Sequence, residues 1–162
     1  ADKKKQVFEE DLLALADEEQ SVSKLKQIDL LDISIKCGSN QKSSAFVKLK
    51  YLNKILTIES QGSGPIDAVF KAIKDLITTK AHLVVYQVNA ITKGTDAQAE
   101  VSVRLEEGGV SVLGVGNDID TIVASGKAYI NALNKLISKR SKAKDSKKIL
   151  NSSNSTIDKH VI

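Results

Sequence analysis

From Ala45 to Leu52 the chain reads AFVKLKYL, apolar and polar residues alternating so that Val47, Leu49 and Tyr51 share one face. Period-two alternation predicts a strand with one buried side. Lys54 to Ser60, KILTIES, alternates as well and puts Leu56, Ile58 and Ser60 together. The tetrad Tyr51-Leu-Asn-Lys between them predicts a hairpin around Asn53. Upstream, Leu25 to Cys37 carries apolar residues at 28, 30, 31, 33 and 35, a third strand-like run. Downstream the period changes. From Pro65, PIDAVFKAIKDLITT sets Ile66, Val69, Phe70, Ile73, Leu76 and Ile77 in a helical stripe, with proline at its favoured first position.

The same order then recurs. Leu83 to Ile91 predicts a strand; Ala97 to Leu105 alternates, with Ala97, Ala99, Val101, Val103 and Leu105 on one face. Glu106-Glu-Gly-Gly predicts a hairpin, Gly109 to Val115 a further strand, and a helix follows from about Asp118 to about Ser138. The pattern is βββα twice, an α+β fold of two repeats related by a pseudo-twofold axis and sharing one core. The copies are matched by setting VKLKYL against VSVRLE and GSGPIDA against GVGNDIDT, with one inserted residue. Gly62 and Gly64, and again Gly114 and Gly116, then read as paired strand-to-helix turns. Ahead of the repeats, Phe8 to Glu19 predicts a short helix, and residues 1–24 read as a helical connector. Beyond Ser138 the chain is rich in Lys, Ser and Asn, and 138–162 reads as a mostly disordered tail. The domain proper is 25–137, divided at 80/81.

Composition narrows the classes. The chain has 162 residues, 41% apolar but only 4% aromatic, so its core must be aliphatic. It contains no methionine, which suggests a piece of a longer protein. The net charge is +4, yet 138–162 alone carries seven Lys or Arg against two Asp, which leaves the first 137 residues near −1. The basic balance therefore belongs to the tail. Its basic residues lack interleaved aromatics for stacking on bases, so no nucleic-acid partner is expected. No apolar run is long enough for a membrane span. The single cysteine, Cys37, excludes an internal disulfide and reads as structural.

Catalytic chemistry is poorly supplied. The histidines are His82 and His160; no HxH, HExxH, CxxC or GxSxG occurs, and no metal site is expected within this stretch. Neither GxG has the third glycine of a dinucleotide turn or the lysine of a P-loop. A glycine-rich helix start still suits a carboxylate, because its free N–H groups and dipole attract an anion. In ITKGTDAQAEV, Asp96 reads as buried, and the small Ala97 and Ala99 either leave space for a ligand or let another surface pack close.

GSGPIDAVFKAI, Tyr86 with Ala90, GTDAQAEVSV and GVGNDIDTIVASGKAYINALN together resemble the C-terminal regulatory domain of alpha-isopropylmalate synthases and the related citramalate synthases, over roughly Leu25 to Leu136. The resemblance implies a homodimeric, cytoplasmic domain that binds an end-product amino acid near the subunit interface. It implies inhibition of a distant TIM barrel, absent here with its divalent metal, that condenses acetyl-CoA with a 2-oxo acid. This stretch itself would be non-catalytic and free of cofactors. Carried over by motif, the pocket takes Ser63 and Ile66 from the first turn and Leu83, Tyr86 and Ala90 from the next strand. Ala97 and Ala99 would offer backbone amides to the ligand carboxylate, and Thr121 would lie near its side chain. The family senses leucine or isoleucine; the small Ala90 favours the longer leucine. A dimerisation domain without a ligand is the alternative.

Overall fold

The computed structural model describes residues 27–93 and 96–158. The expected helix over Phe8 to Glu19 lies outside them. The elements are β1 (Asp29–Gly38), β2 (Gln41–Tyr51), β3 (Lys54–Gly62), α1 (Pro65–Ile77), β4 (His82–Lys93), β5 (Asp96–Glu107), β6 (Val110–Asp118) and α2 (Thr121–Asp158). The strands form two antiparallel sheets, β1-β2-β3 and β4-β5-β6. The βββα duplication is therefore the observed architecture.

Each sheet turns one face inward. Ala45, Val47 and Leu49 of β2 and Val101, Val103 and Leu105 of β5 are fully buried. They meet Ala68, Val69, Ala72 and Ile73 of α1 and Ala124, Ala128, Ala132, Leu133 and Leu136 of α2 in one core. Each fully buried Val, Leu or Ile contributes about 1.5–3 kcal/mol. The fully buried alanines 68, 72, 124, 128 and 132 let the helices lie close to the sheets.

Both tight hairpins turn through two residues with positive φ: Leu52 (53°) and Asn53 (59°) in the first repeat, Gly108 (56°) and Gly109 (79°) in the second. That is the type I′ geometry whose twist matches the strands it joins. Glycine takes it freely, whereas Leu52 takes it against a side-chain clash.

The register corrects the expected match between repeats. From β2 onward the two copies superpose when 56 is added to the residue number. Leu49 opposite Leu56 falls on Leu105 opposite Val112, and Val47 opposite Ile58 on Val103 opposite Gly114. The first strands superpose with 53 added, Ile33 opposite Val47 falling on Tyr86 opposite Val103, because the β4–β5 hairpin, arms and turn together, is three residues longer. No residue is inserted between the last strand and its helix.

Consequently GSG and GVG are not equivalent, and the second is not a turn. Gly114 and Gly116 lie inside β6. A Cβ on Gly114 would meet the Ala128 carbonyl oxygen and come within 2.5 Å of Ala132 N; one on Gly116 would come within 2.5 Å of Ala128 N. These glycines exist to let α2 press onto the sheet. In the first repeat Gly62 ends β3, where a Cβ would stand 2.5 Å from Ala68 N, and Gly64 caps α1 in open space.

The disordered-tail expectation is also corrected: α2 continues to Asp158. Residues 139–158 contain no Gly or Pro, and 139–150 are rich in Lys, a good helix former. Serine hydroxyls donate back to helix carbonyls, Ser141 to Ile137 (3.2 Å) and Ser146 to Lys142 (2.9 Å). Arg140 pairs with Glu107 at the β5–β6 hairpin. Residues 142–153 are exposed, so poverty in apolar residues removed packing without removing the helix.

Candidate functional site

The two helices treat the first strand of the opposite repeat differently. Position 126 of α2 corresponds to position 70 of α1, and Ile33 of β1 corresponds to Tyr86 of β4. Where α2 meets β1, Gly126 faces Ile33: a Cβ there would lie 2.6 Å from the Ile33 Cδ1. Asn134 of α2 then clamps the strand entry, accepting from Ile28 N (2.7 Å) and donating to Ile28 O (3.1 Å). Where α1 meets β4, the pair is Phe70 and Tyr86, edge to face with centroids 5.8 Å apart. Phe70 also stacks on Tyr129 at 4.7 Å. Two aromatic rings fill the gap that glycine and isoleucine close.

The consequence is an open apolar margin. Leu30, Ile33 and Ile35 of β1 are half-buried against the core. Their counterparts on the same face of β4 are Leu83 (45% exposed), Tyr86 and Val88 (42% exposed), with Ala90 exposed beyond them. Opposite on β5, Ala99 is half-buried and Ala97 exposed. Ala90 is the direct cross-strand neighbour of Ala99. Two strands therefore present a small-residue floor ending in an aromatic wall, along an edge strand. Such a surface suits the aliphatic part of a small molecule.

The expected site residues are placed as follows. Leu83, Tyr86, Ala90, Ala97 and Ala99 share this face. Thr121 opens α2, and its carbonyl accepts from the Ser125 hydroxyl (2.7 Å), which also contacts the Tyr86 hydroxyl (2.8 Å). Tyr86 and Thr121 are thus joined through Ser125, a fully buried residue that was not among the expected ones. Its signal was legible: a lone hydroxyl four residues after Thr121 on an otherwise apolar helix face. Phe70 and Val88 were missed too, Phe70 because it reads as plain core. Ile66 packs half-buried at the core edge. Ser63 is exposed and turned into its own loop, its N–H and hydroxyl donating to the Asp67 carboxylate at 3.0 and 3.3 Å. The structure describes no hydrogen bond from Ser63 to the β4 margin.

The electrostatics around the helix starts are local. The Ser63 N–H, and then Lys71, hold the Asp67 carboxyl below its ordinary pKa. Lys127, and then the Asp120 N–H, do the same for Asp118. Asp120 caps α2 by accepting from Ile122 N at 2.7 Å. Burial raises the Tyr129 phenol to about 12. Among the described residues no group of three or more His, Cys, Asp or Glu stands close enough to hold a metal ion. Cys37 is exposed on β1. Among the described residues no helix is long and apolar enough to cross a membrane.

Fold and margin together define a duplicated βββα module with an aromatic-walled apolar ledge on one repeat only. Residues 6–137 match the LeuA allosteric (dimerisation) domain, and the chain belongs to that family. It is 50% identical over 140 residues to a 2-isopropylmalate synthase of Bradyrhizobium sp. (strain ORS 278), covering 86% of this chain and 26% of that protein. It is 45% identical over 140 residues to that of Afipia carboxidovorans, covering 86% and 27%. The match to that of Rhodopseudomonas palustris (strain TIE-1) is 47% over 143 residues, covering 88% and 27%. The chain thus spans about a quarter of the length of these curated relatives.

Proposed function

We propose that this chain is the end-product sensor of a 2-isopropylmalate synthase: it binds leucine, and binding inhibits the synthase through a change in the domain. The observation that carries the reading is the uncovered ledge of Tyr86, Val88, Ala90, Ala97 and Ala99 in a member of an allosteric domain family. Burying a leucine side chain there is worth about 1.5–3 kcal/mol, and backbone N–H groups near Ala97 and Ala99 would hold its carboxylate. Condensation of acetyl-CoA with a 2-oxo acid, and the divalent metal it needs, are assigned to a barrel outside this chain.

The same reading makes the domain a homodimer. Support comes from the family description and from the side of the second sheet turned away from the core. There Val85, Leu113 and Val115 are each about two-fifths exposed. Inhibition requires that leucine bind two states of the domain with different affinity.

Calorimetric titration with leucine, isoleucine and valine tests the proposal. Preferential, saturable binding of leucine is expected. Preference for isoleucine would move the protein to the citramalate branch of sensors. No heat from a folded dimer with any of the three would leave dimerisation alone. Leucine and isoleucine differ by one methyl position, so an apolar pocket separates them by about 1–3 kcal/mol.

A further inference from the structure

The hydrogen bonds around Ser125 fix a proton, and with it the character of the wall at the end of the ledge. Ser125 is fully buried, and its hydroxyl has one hydrogen. Its oxygen lies 2.7 Å from the Thr121 carbonyl oxygen, an atom that only accepts, so that hydrogen points at Thr121. The contact between Ser125 and Tyr86, 2.8 Å, must then be made with the hydrogen of Tyr86. The phenol donates inward, toward α2, and has no hydrogen left for anything on the ledge. Its ring is held edge to face against Phe70.

We infer that Ser125 is a specificity-determining positioning residue of the ligand site: by taking the Tyr86 hydrogen it makes Tyr86 a wall that cannot donate. The site therefore selects an aliphatic side chain and rejects one of the same shape that carries a hydrogen-bond acceptor. A buried acceptor that loses its water and finds no donor is costly, which makes the rejection strong. Position matters as well. Tyr86 stands at the inner end of the ledge, four residues along β4 from Ala90, the partner of Ala99. In the first repeat the corresponding positions are Val69 for Ser125 and Ile33 for Tyr86, so the first repeat has no counterpart of this proton lock.

The inference rests on the proposed amino-acid site and is tested separately from it. The probes are leucine and 2-amino-4-oxopentanoate, whose side chain has the branched shape of leucine with a ketone oxygen in place of one methyl. The wild-type chain is expected to prefer leucine by about a hundredfold or more, and Ser125→Ala to narrow that ratio by about tenfold as Tyr86 becomes free to donate to the ketone. Equal weakening of both ligands in Ser125→Ala, as a purely structural serine would give, overturns the inference while leaving the site standing. Tyr86→Phe removes the hydrogen altogether and is expected to keep the preference for leucine over the ketone at the wild-type ratio or above it. A ratio that falls in Tyr86→Phe would show the hydroxyl itself acting on the ligand, and would overturn the inference even if Ser125→Ala failed to fold. Absence of leucine binding to the folded wild-type chain would remove the site and the inference together.

Discussion

The two repeats share a register and differ in what stands between helix and first strand. In one place Gly126 and Ile33 let α2 close over β1; in the other Phe70 and Tyr86 keep the margin of β4 open. One repeat builds stability at that position, and its copy builds a surface. The lysines tell the same story on a smaller scale. Lys71 and Lys127 correspond, but Lys71 pairs with Asp67 one turn back in its own helix, whereas Lys127 reaches Asp118 at the end of the neighbouring strand. The two copies share a backbone plan, and their side chains set them apart.

The largest effect is expected where the second repeat depends on bare backbone. Gly114→Ala drives a methyl into the backbone of α2 and should destabilise by about 3 kcal/mol in chemical denaturation. Gly64→Ala, in open space at the start of α1, should cost under about 1 kcal/mol. Equal costs would mean that the two GxG stretches are equivalent turns after all.

Tyr129 stands where the first repeat has Ile73. Its phenol ionises near 12 in the fold but near 10 unfolded, so its contribution is complete below pH 10 and is lost as pH rises toward 12. The loss is about 3 kcal/mol. Tyr129→Phe should abolish that part of the alkaline slope, read from denaturation midpoints across pH 9 to 12, approximate bounds chosen to span the shift.

Phe70→Leu shortens the spacer on the open side and lets α1 settle toward β4. Leucine affinity should fall by about tenfold, equal to about 1.4 kcal/mol, while the chain still melts cooperatively. Ile33→Val on the closed side should leave affinity unchanged. A smaller effect concerns acid. Asp67 and Asp118 are both depressed, so their contribution is present above the ordinary carboxyl range and is lost as pH falls through their folded values, below about pH 4. Asp118→Asn should flatten the acid limb of the stability curve. Smallest of all, Leu52→Asn replaces a strained left-handed leucine by a residue that tolerates the turn, and should raise stability by about 0.5 kcal/mol.

Alternation and helical spacing carried the fold because each element buries one face, and burial is what period reports. What period cannot report is how near a helix comes. Gly114 and Gly116 look like a turn in GVGND, since glycine marks turns and close approaches alike; only the pairing of Val101 with Gly116 shows them inside a strand. The helix beyond Ser138 was hidden for the converse reason: helix propensity persists where nothing packs. Of the proposed site, Leu83, Tyr86, Ala90, Ala97 and Ala99 came from the family resemblance, and the register puts them on one sheet face. The Phe70 spacer was not legible, because a buried aromatic on an apolar stripe reads as core until its counterpart turns out to be glycine.

The most direct measurement is a leucine titration followed residue by residue in the amide NMR spectrum. The account predicts shifts along 86–90 and 97–99 and at the start of α2, with the corresponding β1 positions around Ile33 and Ile35 unmoved. Equal shifts in both repeats, or shifts confined to β1, would contradict the claim that one repeat was opened for the ligand and the other closed.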